Sequence, residues 1–370
     1  MVSKSQKFHI NLPKKIFFMK GVLISGIIIC FWSLISFAQS DTVKIAAELT
    51  PEQKAQNDYN AGLNYLNSNN PSMAIQLFSQ AIQNLPNFEK AFYNRALAYI
   101  QLKNYNEALK DINQALQLKA TDEYYFTKSI IFFHQNKKDS QEQVLQKVLE
   151  LNPNHPEANY YMGMLYFNYQ DYDKALDYYQ KAIQAKPDYA YAYNDLGSTY
   201  LMKNDLDNAI KNYELAAKYA PNQAFIFNNL GSAYRQKKDY TKAIDAYTRA
   251  IMIDDKYYIA YINSGATRIE KGDLNGAKKD FETLISKDFK NSAAYNGLAG
   301  VYIKEKDYKK AKEMATKAID LDPKNGQAYY NRGIARQMLR EEEEACNDWK
   351  KALELGITPA KSFIDTDCND

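Results

Sequence analysis

Few side chains in this 370-residue sequence have types and spacings suited to covalent or metal chemistry. The three histidines are His9, His134 and His155, and no two form a His-x-x-x-His pair. There is no Cys-x-x-Cys pair, phosphate loop or Gly-x-Ser-x-Gly elbow. Without those sets, zinc hydrolysis, nucleotide chemistry and nucleophilic catalysis have no residues to run on, and no enzyme activity, cofactor or metal is expected. Carboxylates are plentiful and densest at Glu341 to Glu344. Four adjacent acids suit the positive end of a helix dipole; an acidic contact site is the other reading. The remaining reactive groups are Cys30, Cys346 and Cys368, whose chemistry would be a disulfide.

Composition narrows the class further. The sequence has 14 glycines and 10 prolines, too few for a turn-rich β protein or a disordered linker, and an unusual 31 tyrosines. Residues 1–38 carry Lys4, Lys7, Lys14, Lys15 and Lys20 and no acid. The rest then holds 42 basic against 44 acidic side chains, so no broad positive field is available to attract nucleic acid. Gly21 to Phe37 is an uncharged apolar run, followed by Ser36-Phe37-Ala38, a small-x-small cleavage pattern. Residues 1–38 read as a signal peptide, with Gln39 as the new N-terminus. Met19-Lys20 would open a signal of ordinary proportions, so Met19 is a candidate start. The alternative is a retained anchor: 17 residues make ~25 Å of helix against a ~30 Å hydrocarbon core.

Any pair of reactive groups must be positioned by regular elements, and these repeat. With a period of 34 from Ala55, one residue being missing between the second and third units, the eighth position reads Gly62, Ala96, Ser129, Gly163, Gly197, Gly231, Gly265, Ala299 and Gly333. The twentieth is alanine in every unit except at Gln141, and the twenty-seventh is alanine except at Val148 and Leu284. The eleventh is mostly aromatic, with Arg268 and Arg336 as exceptions. The twenty-fourth is mostly large, from Phe78 to Trp349, with Ala315 the exception. Proline recurs at the thirty-second as Pro86, Pro153, Pro187, Pro221 and Pro323.

Spacings of three and four place each set on one helical face. Small residues let two helices approach, and the aromatic fills the space beside them. Asp171, Asp205, Asp239, Asp273 and Asp307 stand where second helices need an N-cap. Where proline follows at the thirty-second position, it stops the second helix. Nine units follow: 55–88, 89–121, 122–155, 156–189, 190–223, 224–257, 258–291, 292–325 and 326–357, after a linker and helix start at 39–54. Thr50-Pro51-Glu52-Gln53 is a capping box that starts the first helix early. Thr358-Pro359 opens a further helix within a 358–370 cap and tail, with Ala360, Phe363 and Ile364 on one face.

That cap gives the cysteines a geometry. Cys30 leaves with the signal, so Cys346 and Cys368 form an even pair in an exported chain. From Cys346 the last second helix runs about 13 Å to Leu355; a return helix from Pro359 comes back as far. The two cysteines then meet in a disulfide, or remain as two unpaired thiols.

The repeat resembles the tetratricopeptide repeat family from Ala55 to Pro359. The resemblance implies an all-α, right-handed solenoid of about nine helix-turn-helix repeats with a C-terminal capping helix. It also implies that positions two, five, nine, twelve and thirteen face a concave surface. The fifth is Tyr59, Tyr93, Phe126, Tyr160, Asn194, Asn228, Ile262, Asn296 and Tyr330. Leu97, Ile130 and Met164 at the ninth add to a groove that is aromatic and aliphatic in its N-terminal half. Asparagine recurs at the sixth as Asn60, Asn94, Asn229, Asn263 and Asn331. These amides either bond the backbone of an extended peptide or bond within the solenoid, and the apolar residues either meet a partner or pack between helices. Family members that hold acidic C-terminal tails use lysine at position five, which no unit here has.

The expectation is an exported, periplasmic scaffold that binds a protein or peptide in its concave face, with no nucleic acid. The alternative is a membrane-anchored assembly factor that keeps residues 21–37. An enzyme or enzyme regulator is a remote third reading, since it needs a non-repeat domain.

Overall fold

The computed structural model describes residues 48–368. The expectations for residues 1–38, including the start at Met19, and the linker at 39–47 lie outside the described residues. Those described form nine helix pairs and a terminal helix, with no strand among them. The pairs are α1 (Pro51–Asn67) with α2 (Pro71–Asn84), α3 (Glu89–Gln101) with α4 (Tyr105–Leu118), and α5 (Asp122–His134) with α6 (Lys138–Leu151). Next come α7 (Pro156–Asn168) with α8 (Tyr172–Ala185), α9 (Ala190–Met202) with α10 (Leu206–Tyr219), and α11 (Ala224–Gln236) with α12 (Tyr240–Ile253). The last are α13 (Tyr258–Lys271) with α14 (Leu274–Lys287), α15 (Ser292–Lys304) with α16 (Tyr308–Leu321), and α17 (Gly326–Met338) with α18 (Glu342–Glu354). Helix α19 (Ala360–Asp367) follows.

Local chemistry sets the ends. Thr50 caps α1, its hydroxyl accepting from Gln53 N–H while the Gln53 side chain accepts from Thr50 N–H. Asp171, Asp205, Asp239, Asp273 and Asp307 each accept a backbone N–H three residues on. The residue that turns the chain into these caps is left-handed, as at Asn204 (φ 60°) and Lys238 (φ 64°). Glycine takes that turn once, at Gly272 (φ 87°). Glu341 precedes α18, and Glu342 to Glu344 fill its first turn at the positive end of the dipole.

Packing explains the repeat pattern. Every alanine at positions twenty and twenty-seven, from Ala74 and Ala81 to Ala345 and Ala352, is fully buried. Position eight lies against position twenty-four of its own repeat, and the two are matched in size. A Cβ on Gly62 would stand 2.6 Å from the Phe78 ring, one on Gly163 2.6 Å from Tyr179, and one on Gly231 2.7 Å from Tyr247. Where position twenty-four is Ile112, Leu145 or Ala315, position eight is Ala96, Ser129 or Ala299. The arginines that replace the eleventh-position ring reach an acid instead: Arg268 Nε donates to Asp280 at 3.0 Å, and Arg336 Nη1 to Asp348 at 2.7 Å.

Each pair packs on the next, as expected where one pair cannot bury both faces. First helices also touch one another, α1 with α3, α3 with α5, and in series from α7 through α9, α11, α13 and α15 to α17. Second helices make no comparable contact, which puts the first helices on the inside of the bend. The third repeat fits least well. Gln141 replaces the usual alanine and is buried, with Nε2 lacking a partner. A cavity of about 240 Å³ lies beside it, lined also by Phe133, Tyr161 and Met164. At the other end α19 closes the stack: Phe363 lies 4.7 Å from the Trp349 ring, and Trp349 is fully buried. Cys346 and Cys368 are joined, with Cα atoms 5.6 Å apart.

Candidate partner-binding face

The inner face is built from the first helices, and its fifth and sixth positions are occupied with one another. A sixth-position side chain meets the fifth-position side chain of the repeat before. Asn94 Nδ2 donates to Tyr59 Oη at 3.1 Å. Asn229 donates to Asn194 Oδ1 at 3.0 Å, Asn263 to Asn228 at 2.8 Å and Asn331 to Asn296 at 2.8 Å. Between repeats four and five the polarity is reversed, and Tyr160 Oη donates to Asp195 at 2.8 Å. Between two and three, Thr127 Oγ1 meets Tyr93 Oη at 3.5 Å. Between three and four the pair is aromatic, Phe126 edge-on to Tyr161 at 5.8 Å.

This clasp fixes where the sequence-derived candidates lie. Tyr59 rests on Phe78 and Phe88, with centroids at 5.8 and 4.9 Å, and burial pushes its hydroxyl up to about 12. Tyr93 stacks on Tyr124 at 4.6 Å and donates to Glu123 at 3.1 Å. Tyr93, Phe126 and Tyr160 are only 6–7% exposed, and Ile130 and Met164 are buried with them. Leu97 is half-buried in the same core. Asn94, Asn194 and Asn228 are buried inside the clasp, and Asn229 and Asn263 are half-buried. Asn60, in the first repeat, has no repeat before it; it is exposed and accepts from Gln56 at 2.9 Å. The expected aromatic groove of the N-terminal half is thus largely inter-repeat packing, and the amides serve the solenoid itself.

One junction lacks the clasp. Between repeats seven and eight the pair is Ile262 and Gly297. With no side chain at Gly297 or Gly300, and only methyls at Ala266 and Ala293, a cavity of about 420 Å³ opens over Ile262, Ile269 and Phe281. Arg235 and Glu270, paired through two bonds from Arg235 Nε at 3.1 Å, form one wall. The amides of Asn296, Gln327 and Asn331 form the other. All but Gly297, Phe281 and Asn331 occupy the positions two, five, nine, twelve and thirteen that the repeat pattern assigns to the inner face. The sequence signal for the cavity is the cluster of small residues at those positions in the seventh and eighth units.

The two histidines among the described residues have structural partners. His155 Nδ1 accepts the N–H of Ala158 as the N-cap of α7, and burial pushes its pKa down. His134 stacks on Tyr105 at 4.9 Å.

Family models described as tetratricopeptide repeat match residues 89–122, 156–189 and 224–257, and further models of that description match 122–155, 178–211 and 268–336. No curated protein matches the chain. Among solved structures, a tetratricopeptide repeat protein from Parabacteroides merdae is 20% identical, with 67% of this chain and 99% of that one covered and a TM-score of 0.55. Yeast Tom70 is 18% identical over 85% of this chain and 68% of its own, with a TM-score of 0.46. YrrB, described as having an unusual peptide-binding site, is 23% identical over 50% of this chain and 96% of its own, with a TM-score of 0.44. Matched along most of its helix pairs and folded as a stack of them, the chain belongs to the tetratricopeptide repeat family.

Proposed function

We propose that this protein is a non-enzymatic scaffold whose inner face holds an extended segment of a partner protein, centred on the cavity between repeats seven and eight. The observation that carries the reading is that cavity: an apolar floor, two polar walls, and a position on the face the first helices share. Its floor suits an apolar side chain, and its amides suit the backbone on either side. Because the other fifth and sixth positions are engaged with one another, our reading centres the site in the C-terminal half rather than the N-terminal half.

A photo-crosslinking residue at Gly300, whose Cβ direction is open apart from Ile269 Cδ1 at 3.7 Å, tests the placement against one at Lys181 on the outer helix α8. Crosslinks to one partner segment from position 300 and none from 181 support it. The reverse pattern overturns it.

We also propose export, on the strength of the lysine-led apolar run and Ser36-Phe37-Ala38. Intact mass of the native protein should begin at Gln39, and a retained 21–37 segment would favour the membrane-anchored alternative. Among the described residues no helix is long and apolar enough to cross a membrane.

A further inference from the structure

Asp195 is the one acid in the sixth-position series, where the first, second, sixth, seventh and ninth repeats carry asparagine. It is half-buried on α9, one of the first helices that line the inner face. Its Oδ2 accepts from Tyr160 Oη at 2.8 Å and its Oδ1 from Asn194 Nδ2 at 2.9 Å. Among the described residues no cation is paired with it. Three other acids inside the stack have one: Asp111 has Arg95, Asp280 has Arg268, and Asp348 has Arg332 and Arg336.

Four tyrosines lie within reach of its charge. Tyr160 comes from α7, Tyr179 from α8, Tyr189 from the α8–α9 turn and Tyr213 from α10, and the Asp195 charge pushes all four hydroxyls further up. From α11, Asn229 is spent on Asn194. The charged groups nearby are engaged elsewhere: Lys186 lies over the Tyr189 ring at 4.7 Å and pairs with Glu157 at 3.7 Å.

We infer that Asp195 is the receptor for a cationic side chain, lysine or arginine, of a polypeptide lying along the inner face. This rests on the concave-face reading above and gives the partner a chemistry. A half-buried carboxylate held by two neutral donors keeps lone pairs free and lacks only its counter-charge. An arginine fork suits its two oxygens.

The test uses the full chain on an array of random decapeptides. The best binder is then compared with its citrulline analogue by fluorescence anisotropy. The expected result is enrichment of lysine and arginine, and at least about tenfold weaker binding of the citrulline form. Asp195→Asn should abolish that discrimination while its helical spectrum stays unchanged, since asparagine is the residue of its sister repeats. Wild-type affinity should also fall between pH 7.5 and 5, because burial holds the carboxyl at about 6, and the variant should show no such fall. Selection of neutral or acidic peptides, or equal discrimination by Asp195→Asn, overturns the inference and leaves the concave-face reading standing. Failure to bind any peptide overturns both.

Discussion

Gly231 stands beneath Tyr247 so closely that a Cβ would lie 2.7 Å from the ring. Alanine normally stabilises a helix interior over glycine by up to about 1 kcal/mol. Here the added methyl must push on a fully buried ring, at a cost of about 1–3 kcal/mol. Gly231→Ala should therefore lower stability in urea unfolding. In a Tyr247→Leu background, which reproduces the size pairing of Ser129 with Leu145, the same change should raise it. A loss of equal size in both backgrounds would mean the two positions are not coupled.

The Asn263 amide bonds the Asn228 carbonyl oxygen at 2.8 Å, and Asn228 is 6% exposed. Asn263→Ala strands that buried acceptor, and should cost about 1–3 kcal/mol. Hydrogen exchange should show the loss at the junction of repeats six and seven, since a solenoid's stability is close to a sum of neighbour terms. Faster exchange spread evenly over the whole array would argue against a local clasp.

The solenoid was legible in the sequence because its determinants are local and periodic. The size of position eight, the alanines at twenty and twenty-seven, the capping aspartates and the turn prolines each act within one repeat. The coupling of positions five and six was not, because it links side chains 35 residues apart whose types vary along the array: Tyr59 with Asn94, Tyr160 with Asp195, Asn228 with Asn263. A side chain facing inward by register looks available until the neighbour that occupies it is seen. The cavity at Gly297 escaped for a related reason, being defined by what Ala266, Ala293 and Gly300 lack.

Gln141 buries an amide whose Nε2 finds no partner. Methionine has nearly its shape and no such group to desolvate, so Gln141→Met should stabilise the third repeat by about 1 kcal/mol. A higher urea midpoint at unchanged slope is the expected readout. A lower midpoint would show that the amide is satisfied in solution, for instance by water in the adjoining cavity.

The bond between Cys346 and Cys368 closes a 22-residue loop and should contribute about 3 kcal/mol. The contribution is local, because α19 meets only the ninth repeat. A Cys346→Ser/Cys368→Ser variant should leave the first eight repeats protected from hydrogen exchange. It should also free the amides of α19 and shift Trp349 emission to the red as Phe363 leaves its face. Unchanged protection of α19 would mean that Phe363 and Ala360 hold the cap without the bond.

Asp195 makes the pH dependence of stability specific in sign. Burial raises its carboxyl from 3.8 to about 6 in the folded chain. The folded state therefore holds a proton that the unfolded chain has already released between those values. Whatever stability this contributes is present below about pH 4 and is lost as the pH rises through about 6. Asp195→Asn removes the titration and keeps an acceptor for Tyr160. Measured against its value at about pH 4, the stability advantage of the variant should grow with pH and level off above about 7, at no more than about 3 kcal/mol. Urea unfolding of both proteins between those limits gives the curve. A difference independent of pH would place the carboxyl in its ordinary range and remove the desolvation on which its readiness for a cation depends.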